Sequence, residues 1–336
     1  MRQWVSLFLI MKNISILVPR GAILGSLEGT RQLFSQVNEF MKARGKDPLF
    51  KVQLVGLSKE TSLTGGLFTA HTDVLLHDVK KTDLIVIPAI DGEINNALEQ
   101  NRDFIPWIIK QYKAGAEVAS LCLGAFLLAS TGLLSGRKCA THWMAANEFQ
   151  KMFPDVKLVT EKIITDEKGI YSSGGAFSYL NLILHLIEKY AGRDIAILSA
   201  KVFAIEIERE SQLSFTIFQG QKDHDDEQIK KAQEFIEKNY QEKINVEQLV
   251  SMLALSRRNF ERRFKKATSN TAVEYIQRVK IEAAKKGLES SRKNVNELMY
   301  DVGYSDTKAF RTVFKRITGK SPIDYRNKYN RNAIAV

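Results

Sequence analysis

The sequence has little of several features that would place it in a specialised class. It has only two cysteines in 336 residues, Cys122 and Cys139, too few for a disulfide framework, so nothing indicates an oxidising compartment. It has no low-complexity tract and no run of about 20 apolar residues, the length that a membrane-spanning helix needs. With 44% hydrophobic and 26% charged residues, the chain has the composition of a soluble globular protein with room for at least two cores.

The first residues have only a superficial likeness to a secretion signal. Trp4–Met11 is apolar behind Arg2, but this run of about eight residues is at the lower limit for a signal and lacks a small-residue cleavage site. The sequence leaves open whether translation starts at Met1 or at Met11. We expect a cytoplasmic protein with no membrane partner.

Charge is distributed unevenly along the chain. Residues 1–226 contain 25 basic and 25 acidic side chains, whereas residues 227–336 contain 24 Lys and Arg against 13 Asp and Glu. The formal excess of +11 therefore lies entirely in the last third. A basic excess confined to one segment is typical of a nucleic-acid-binding domain.

Apolar strand patterns alternate with helical patterns between residues 12 and 192. This alternation predicts an α/β domain of flavodoxin-like type, with a parallel sheet flanked by helices. The expected strands are Ile14–Val18, Phe50–Leu57, Asp83–Pro88, Glu117–Cys122 and Gly169–Ser173, and the expected helices are Leu27–Ala43, Ile94–Ala114, Ala125–Leu134, Trp143–Phe153 and Ser178–Tyr190. Residues 193–226 are expected to form one more helix, Asp194–Glu210, and a linker.

The last third, residues 227–330, contains one pattern twice. Phe260 and Phe264 recur as Phe310 and Phe314, 50 residues later, each pair following a short amphipathic helix and a tight break. Ser256 and Asp306 stand where N-caps of the second helices belong. The pattern predicts an all-α domain with two helix-turn-helix units, joined by one helix over Thr271–Leu288 of about 27 Å.

A strand-to-helix corner in the first domain carries the cysteine Cys122. The apolar strand ends there and Gly124 opens the next helix, so the thiol should lie at the carboxyl edge of the sheet, where open α/β folds bind ligands. His142 follows 20 residues later, and a Cys–His pair could act as nucleophile and base. We expect Leu123, His142, Trp143 and the Asp91–Gly92 loop to approach the same place.

The run from Cys122 to Trp143, with Ser172–Asn181, resembles the PfpI-like (class I glutamine-amidotransferase-like) domain of a regulator family. The segments Ser256–Lys265, Val302–Tyr304 and Phe314–Arg326 resemble the AraC/XylS-type DNA-binding domain to which that family joins it. Together the similar segments cover about residues 13–329. The resemblance implies a transcriptional regulator, with activation expected, that binds promoter DNA, senses a small effector (an amino acid or amine derivative), forms a homodimer and, as an activator, contacts RNA polymerase.

On the two recognition helices, the residues that face away from the phenylalanines are the candidates for contact with DNA. By resemblance to the AraC type, base contacts are expected from Arg258, Glu261, Arg262, Thr307, Lys308, Arg311 and Thr312. Candidates for phosphate contact, unless they are simply solvated, are Arg257, Arg263, Lys265 and Lys315.

The resemblance departs from the catalytic pattern of PfpI-like enzymes. Glu28, the nearest acid after the first strand, is expected inside a helix, and His142-Trp143-Met144 replaces the His-x-Glu of amidotransferases. Pro88–Gly92 replaces their oxyanion-hole Gly-Gly. We therefore expect no catalytic residue and no cofactor, with Cys122 in a ligand site. The alternatives are an active thiol hydrolase, amidase or glyoxalase-like enzyme, and a purely structural dimerisation body.

The remaining polar clusters give weaker signals. His71 and His77 lack a third well-spaced ligand, so no metal site is expected. The pairs Lys230–Lys231 and Lys285–Lys286 are expected on solvated helix faces, with phosphate contact as the alternative.

Overall fold

The computed structural model describes residues 11–207 and 211–330. The chain divides into two compact units, one ending at Gln212 and the other beginning at Leu213. The apolar run before Met11 lies outside the described residues. None of the described helices is long and apolar enough to cross a membrane.

The first unit is built on a seven-stranded sheet with the order β10-β11-β7-β6-β1-β2-β5. All neighbouring pairs in it are parallel except β10 with β11. The strands of the unit are β1 (Lys12–Leu17), β2 (Phe50–Gly56), β3 (Glu60–Leu63), β4 (Phe68–His71), β5 (Val74–Leu75), β6 (Leu84–Ile87), β7 (Glu117–Leu121), β8 (Lys138–Cys139), β9 (Lys157–Leu158), β10 (Ile164–Asp166) and β11 (Ile170–Ser173).

Helices cover both faces of this sheet. They are α1 (Leu24–Ala43), α2 (Ile94–Gln100), α3 (Phe104–Lys113), α4 (Gly124–Ser130), α5 (Ala146–Met152), α6 (Tyr179–Ala191) and α7 (Arg193–Val202). Alternate residues of each strand point to opposite faces, so Val86 packs in a core with α1, α6 and α7, whereas Ile85 packs in a core with α2 to α5. The predicted parallel sheet with flanking helices is confirmed.

The predicted single helix Ile94–Ala114 was wrong, because Asn101 interrupts it. This side chain is fully buried, accepts from the Arg20 amide (2.8 Å) and donates to the Arg20 carbonyl (3.0 Å). The Asn101 side chain thereby fixes the loop that follows β1. The helix predicted over Asp194–Glu210 ends at Val202 and packs on α6 and α1 within the first unit.

The second unit is all-helical, as predicted, and its helices surround two cores. The helices are α8 (Glu227–Lys238), α9 (Val246–Leu253), α10 (Arg257–Thr268), α11 (Ala272–Ser290), α12 (Val295–Asp301), α13 (Thr307–Thr318) and α14 (Pro322–Tyr329). The first core contains Phe260 and Phe264, the second contains Phe310 and Phe314, and α11 contributes side chains to both.

Candidate DNA interface and ligand site

The first helix-turn-helix consists of α9, a short turn and α10. Ala254 ends α9 in a left-handed conformation (φ 52°), which turns the chain sharply. The Ser256 hydroxyl then accepts from the Asn259 amide at 3.4 Å, so it caps α10 as predicted. Because Phe260 and Phe264 are fully buried, the opposite face of α10 is left to solvent.

An open groove of about 660 Å³ lies against that exposed face. Arg258, Glu261 and Arg262 line it together, as the predicted spacing requires. The other lining residues come from α9, α10 and the start of α11: Val246, Lys265, Lys266, Thr271, Ala272 and Val273. The groove is therefore lined by four basic side chains and one acidic side chain.

Two arginines of α10 have acidic partners within the domain. Arg257 donates to Glu261 (3.0 Å) and to Glu247 (2.5 Å). Arg263 donates to both carboxylate oxygens of Asp226, at 2.5 and 2.8 Å, and this bidentate pair joins α10 to the N-cap of α8. For Arg263 the structure thus provides an intramolecular role that sequence reasoning did not identify.

The second helix-turn-helix consists of α12, a turn at Gly303 (φ 71°) and α13. The Asp306 carboxylate accepts from the Ala309 amide at 2.6 Å, so the predicted cap is confirmed. The candidate DNA contacts lie on the face opposite the buried phenylalanines, with Thr307 half-buried and Lys308, Arg311, Thr312 and Lys315 exposed.

The repeat extends further than the sequence motif. Thr268 and Thr318 each donate to the carbonyl of the phenylalanine four residues before, at 2.8 and 2.9 Å. Tyr275 and Tyr325, again 50 residues apart, pack edge-on against Phe264 and Phe314. Helix α11 has 19 residues, about 28 Å at 1.5 Å per residue. With its flanking turns, this length approaches the roughly 34 Å between successive major grooves on one side of DNA.

In the first unit, Cys122 forms the predicted corner after β7. Its φ is 52°, a conformation that is strained for a residue with a Cβ. Its amide donates to the Ser173 carbonyl (3.0 Å), and the Thr141 hydroxyl donates to its carbonyl (3.0 Å). Gly124 permits close contact with the end of β6 and the residue after it, since a Cβ there would lie 2.8 Å from the Ile87 oxygen and 2.4 Å from the Pro88 oxygen.

The chemistry of this corner does not favour a reactive thiol. Burial raises the pKa of Cys122 to about 11, although the Leu123 amide acts in the opposite direction. His142 uses its Nδ1 to accept from the Met144 amide (3.2 Å), and burial lowers its pKa. Among the described residues, no hydrogen bond joins the two side chains. Glu28 lies in α1, where its hydrogen bond with Arg31 lowers its pKa.

The other expected ligand-site residues lie on loops around the carboxyl edge of the sheet. The Asp91–Gly92 loop is exposed and is held by a bond from the Asp91 amide to the Gly21 carbonyl (2.8 Å). Leu123 is half-buried, and Trp143 is half-buried and stacks on His142. His71 and His77 are exposed beside Glu60 and Asp78, and the described residues contain no cluster suited to a metal ion.

Two family models match the chain. Residues 38–189 match the DJ-1/PfpI family, and residues 249–328 match a helix-turn-helix domain. The HTH-type transcriptional regulator GbdR of Pseudomonas aeruginosa is 26% identical over 71% of this chain and 66% of its own length. The HTH-type transcriptional regulator ArgR of the same species is 24% identical over 64% of this chain and 66% of its own length. The chain thus spans about two thirds of the length of these relatives.

A solved structure agrees with the fold of the first unit. A ThiJ/PfpI family protein from Pseudomonas syringae superposes with a TM-score of 0.50 at 16% identity, covering 59% of this chain and 77% of that one. The chain therefore joins a DJ-1/PfpI domain, within residues 38–189, to a helix-turn-helix domain of AraC type, within residues 249–328.

Proposed function

We propose that this chain is a sequence-specific transcription regulator whose two recognition helices, α10 and α13, read neighbouring major grooves of promoter DNA. The observation that carries the proposal is the pair of capped helices, each with a buried Phe pair on one face and exposed polar and basic side chains on the other. In the proposal, Arg258, Glu261 and Arg262 contact base edges from α10. Thr307, Lys308, Arg311 and Thr312 do so from α13, and Lys265 and Lys315 contact phosphates.

The α/β unit binds a small effector at the Cys122 corner in this proposal and does not act as an enzyme. Three features support this assignment. The thiol is protonated, the Nδ1 of His142 already accepts from the Met144 amide, and Glu28 is paired with Arg31. A working nucleophile would need an oriented base and an acid beside it. The unit also forms the homodimer contact, and the regulator acts in the cytoplasm, where as an activator it would contact RNA polymerase.

Binding to duplex DNA tests the first part. The full chain should bind with an affinity that falls steeply between 50 and 300 mM KCl, whereas residues 1–212 alone should not bind. Arg262→Ala should cost about 1–3 kcal/mol on the selected site and relax preference at one base position. Lys315→Ala should weaken selected and random DNA equally, and Lys113→Ala, an exposed lysine of α3, is the control. Equal losses on both DNAs for Arg262→Ala would contradict the assignment of base contacts.

Turnover measurements test the second part. Wild type and Cys122→Ser should both be inactive on amide, ester and α-oxoaldehyde substrates. The positive φ at Cys122 favours the alternative, an active thiol enzyme, because nucleophile corners are strained in this way. Wild-type turnover that disappears in Cys122→Ser would establish that alternative.

A further inference from the structure

A buried carboxamide lies next to the Cys122 corner and has one atom without a partner. Gln212 is 2% exposed and is the last residue of the first unit. Its Nε2 donates to the Thr141 carbonyl (3.1 Å) and to the Lys162 carbonyl (3.2 Å). Those two acceptors fix which end of the amide is nitrogen. Its Oε1 is buried and has no hydrogen-bond partner among the described residues.

The surrounding backbone is shaped to hold this carboxamide. A Cβ on Gly174 would lie 2.3 Å from the Gln212 Nε2, so only glycine leaves the necessary space. On the next residue, Gly175 (φ 81°), a Cβ would lie 3.9 Å from the Gln212 Oε1. Thr141 links the group to the corner, because its hydroxyl donates to the Cys122 carbonyl (3.0 Å). The unpartnered oxygen therefore lies at the Gly174–Gly175 turn, and Thr141 is the residue that joins this carboxamide to the Cys122 corner.

We propose that Gln212 is an effector-contacting residue whose Oε1 accepts a hydrogen bond from an N–H group of the ligand. A carbonyl oxygen accepts and cannot donate, so it pairs with a donor such as an amine, ammonium, amide or guanidine N–H and not with a carboxylate. Leaving such an oxygen buried and unpaired costs free energy, which binding of a donor would recover. This inference rests on the proposed effector-sensing role and names the chemical class of the effector.

The position of Gln212 in the chain also gives the bound ligand a route to the DNA-binding unit. The next residue begins the strap, residues 213–221, which is held along α11. Lys285 donates to the Thr216 carbonyl (2.5 Å), and the Phe218 amide donates to Glu282 (3.1 Å). At its two ends the strap is bound by the helices that flank the helix-turn-helix units. The Tyr329 hydroxyl of α14 donates to the Ser214 carbonyl (3.0 Å), and the Gln233 amide of α8 donates to the Gln221 carbonyl (2.8 Å). A ligand that fixes Gln212 thus restrains the residue to which the strap is covalently attached.

Thermal unfolding of the full chain with a panel of small probes tests the inference. The N–H donors are methylammonium, ethanolamine, guanidinium and the twenty common amino acids, and the probes without N–H are acetate and propionate. At least one N–H probe should raise the wild-type Tm by 2 °C or more, and neither carboxylate should. Gln212→Met, of similar length but without the amide, should abolish the shift.

Each contrary outcome identifies what fails. A shift of equal size in wild type and Gln212→Met would overturn the inference and leave effector sensing in place, at another site. The same conclusion would follow from stabilisation by the carboxylates alone. If no probe stabilises wild type, the N–H class is refuted, while the DNA-binding proposal is decided separately by the duplex titrations.

Discussion

Replacing Lys280 with methionine should loosen the connection between the two helix-turn-helix units. Lys280 lies in the middle of α11 and is 6% exposed. Its Nζ donates to the carbonyls of Glu242 (2.9 Å), Val302 (2.9 Å) and Gly303 (3.3 Å). Glu242 precedes the first helix-turn-helix, whereas Val302 and Gly303 form the turn of the second. One ammonium group therefore connects both helix-turn-helix units to α11, the helix between them.

The expected loss in the free energy of unfolding is the difference between the contribution of three charged hydrogen bonds and the cost of burying the charge. Hydrogen bonds to charged groups contribute about 1.5–3 kcal/mol each. The desolvation penalty of a buried ion is several kcal/mol, and Lys280→Met removes that penalty with the bonds. We expect a net loss of about 2–4 kcal/mol in the free energy of unfolding of the second unit. Lys286→Met, an exposed neighbour in α11, should change it by less than about 0.5 kcal/mol.

Urea unfolding of residues 213–336, followed by helical circular dichroism, measures both variants. The pH dependence provides a second signature, since burial lowers the pKa of Lys280 to about 8 from its usual 10.5. Between these values the unfolded chain binds more protons than the folded chain. The contribution of this lysine to the free energy of unfolding therefore increases as pH rises from 8 towards 10. Tyr304, whose ring lies 5.7 Å from Nζ, has a pKa that burial raises, so its contribution to the pH slope has the opposite sign. Comparison of wild type with Lys280→Met therefore isolates the contribution of the lysine. A Lys280→Met variant with wild-type stability at pH 7 and an unchanged pH slope would refute the reasoning.

Two further predictions concern the ligand site and the second turn. The Cys122 thiol, with its pKa raised to about 11, should react with iodoacetamide at pH 7.5 far more slowly than free cysteine. Cys139, whose pKa burial raises to about 12, should also react slowly. Peptide mass spectrometry measures both rates, and modification of Cys122 at the rate of free cysteine would contradict the burial argument. Gly303→Ala should destabilise the second unit by at least about 2 kcal/mol. A left-handed alanine costs about 1 kcal/mol, and its Cβ would lie 2.2 Å from the Gln241 carbonyl oxygen. Urea unfolding measures the loss, and a change below about 1 kcal/mol would show that the turn relaxes.

The parts of the fold that could be predicted are those in which a local pattern determines the structure. Strands buried on both faces stand out as apolar runs, and the Phe-x-x-x-Phe spacing identifies the buried faces of α10 and α13. The hairpin β3–β4 was missed, because its short strands mix exposed and buried residues and lie outside the main sheet. The break at Asn101 depends on Arg20, 81 residues away, and no local pattern contains such a partner.

Buried polar groups were the main failure of sequence reasoning. Lys285 was expected on a solvated face with Lys286, but it is 3% exposed and bonds to Glu282, whereas Lys286 is exposed. A signal was present, since Lys285 stands four residues after Ile281 and three before Leu288, on the apolar stripe of α11. Gln212 gave no such signal, because its partners are backbone carbonyls brought together only by the fold.

In the proposed regulator, α10 and α13 read two successive major grooves from one chain. Selection of binding sites from random duplex DNA by wild type, Arg262→Ala and Arg311→Ala measures where each helix makes its base contacts. Each variant should lose preference at a different position, and the two positions should lie about 10 base pairs apart. Loss at the same position in both variants, or unchanged preference in either, would show that the two helices do not read successive grooves.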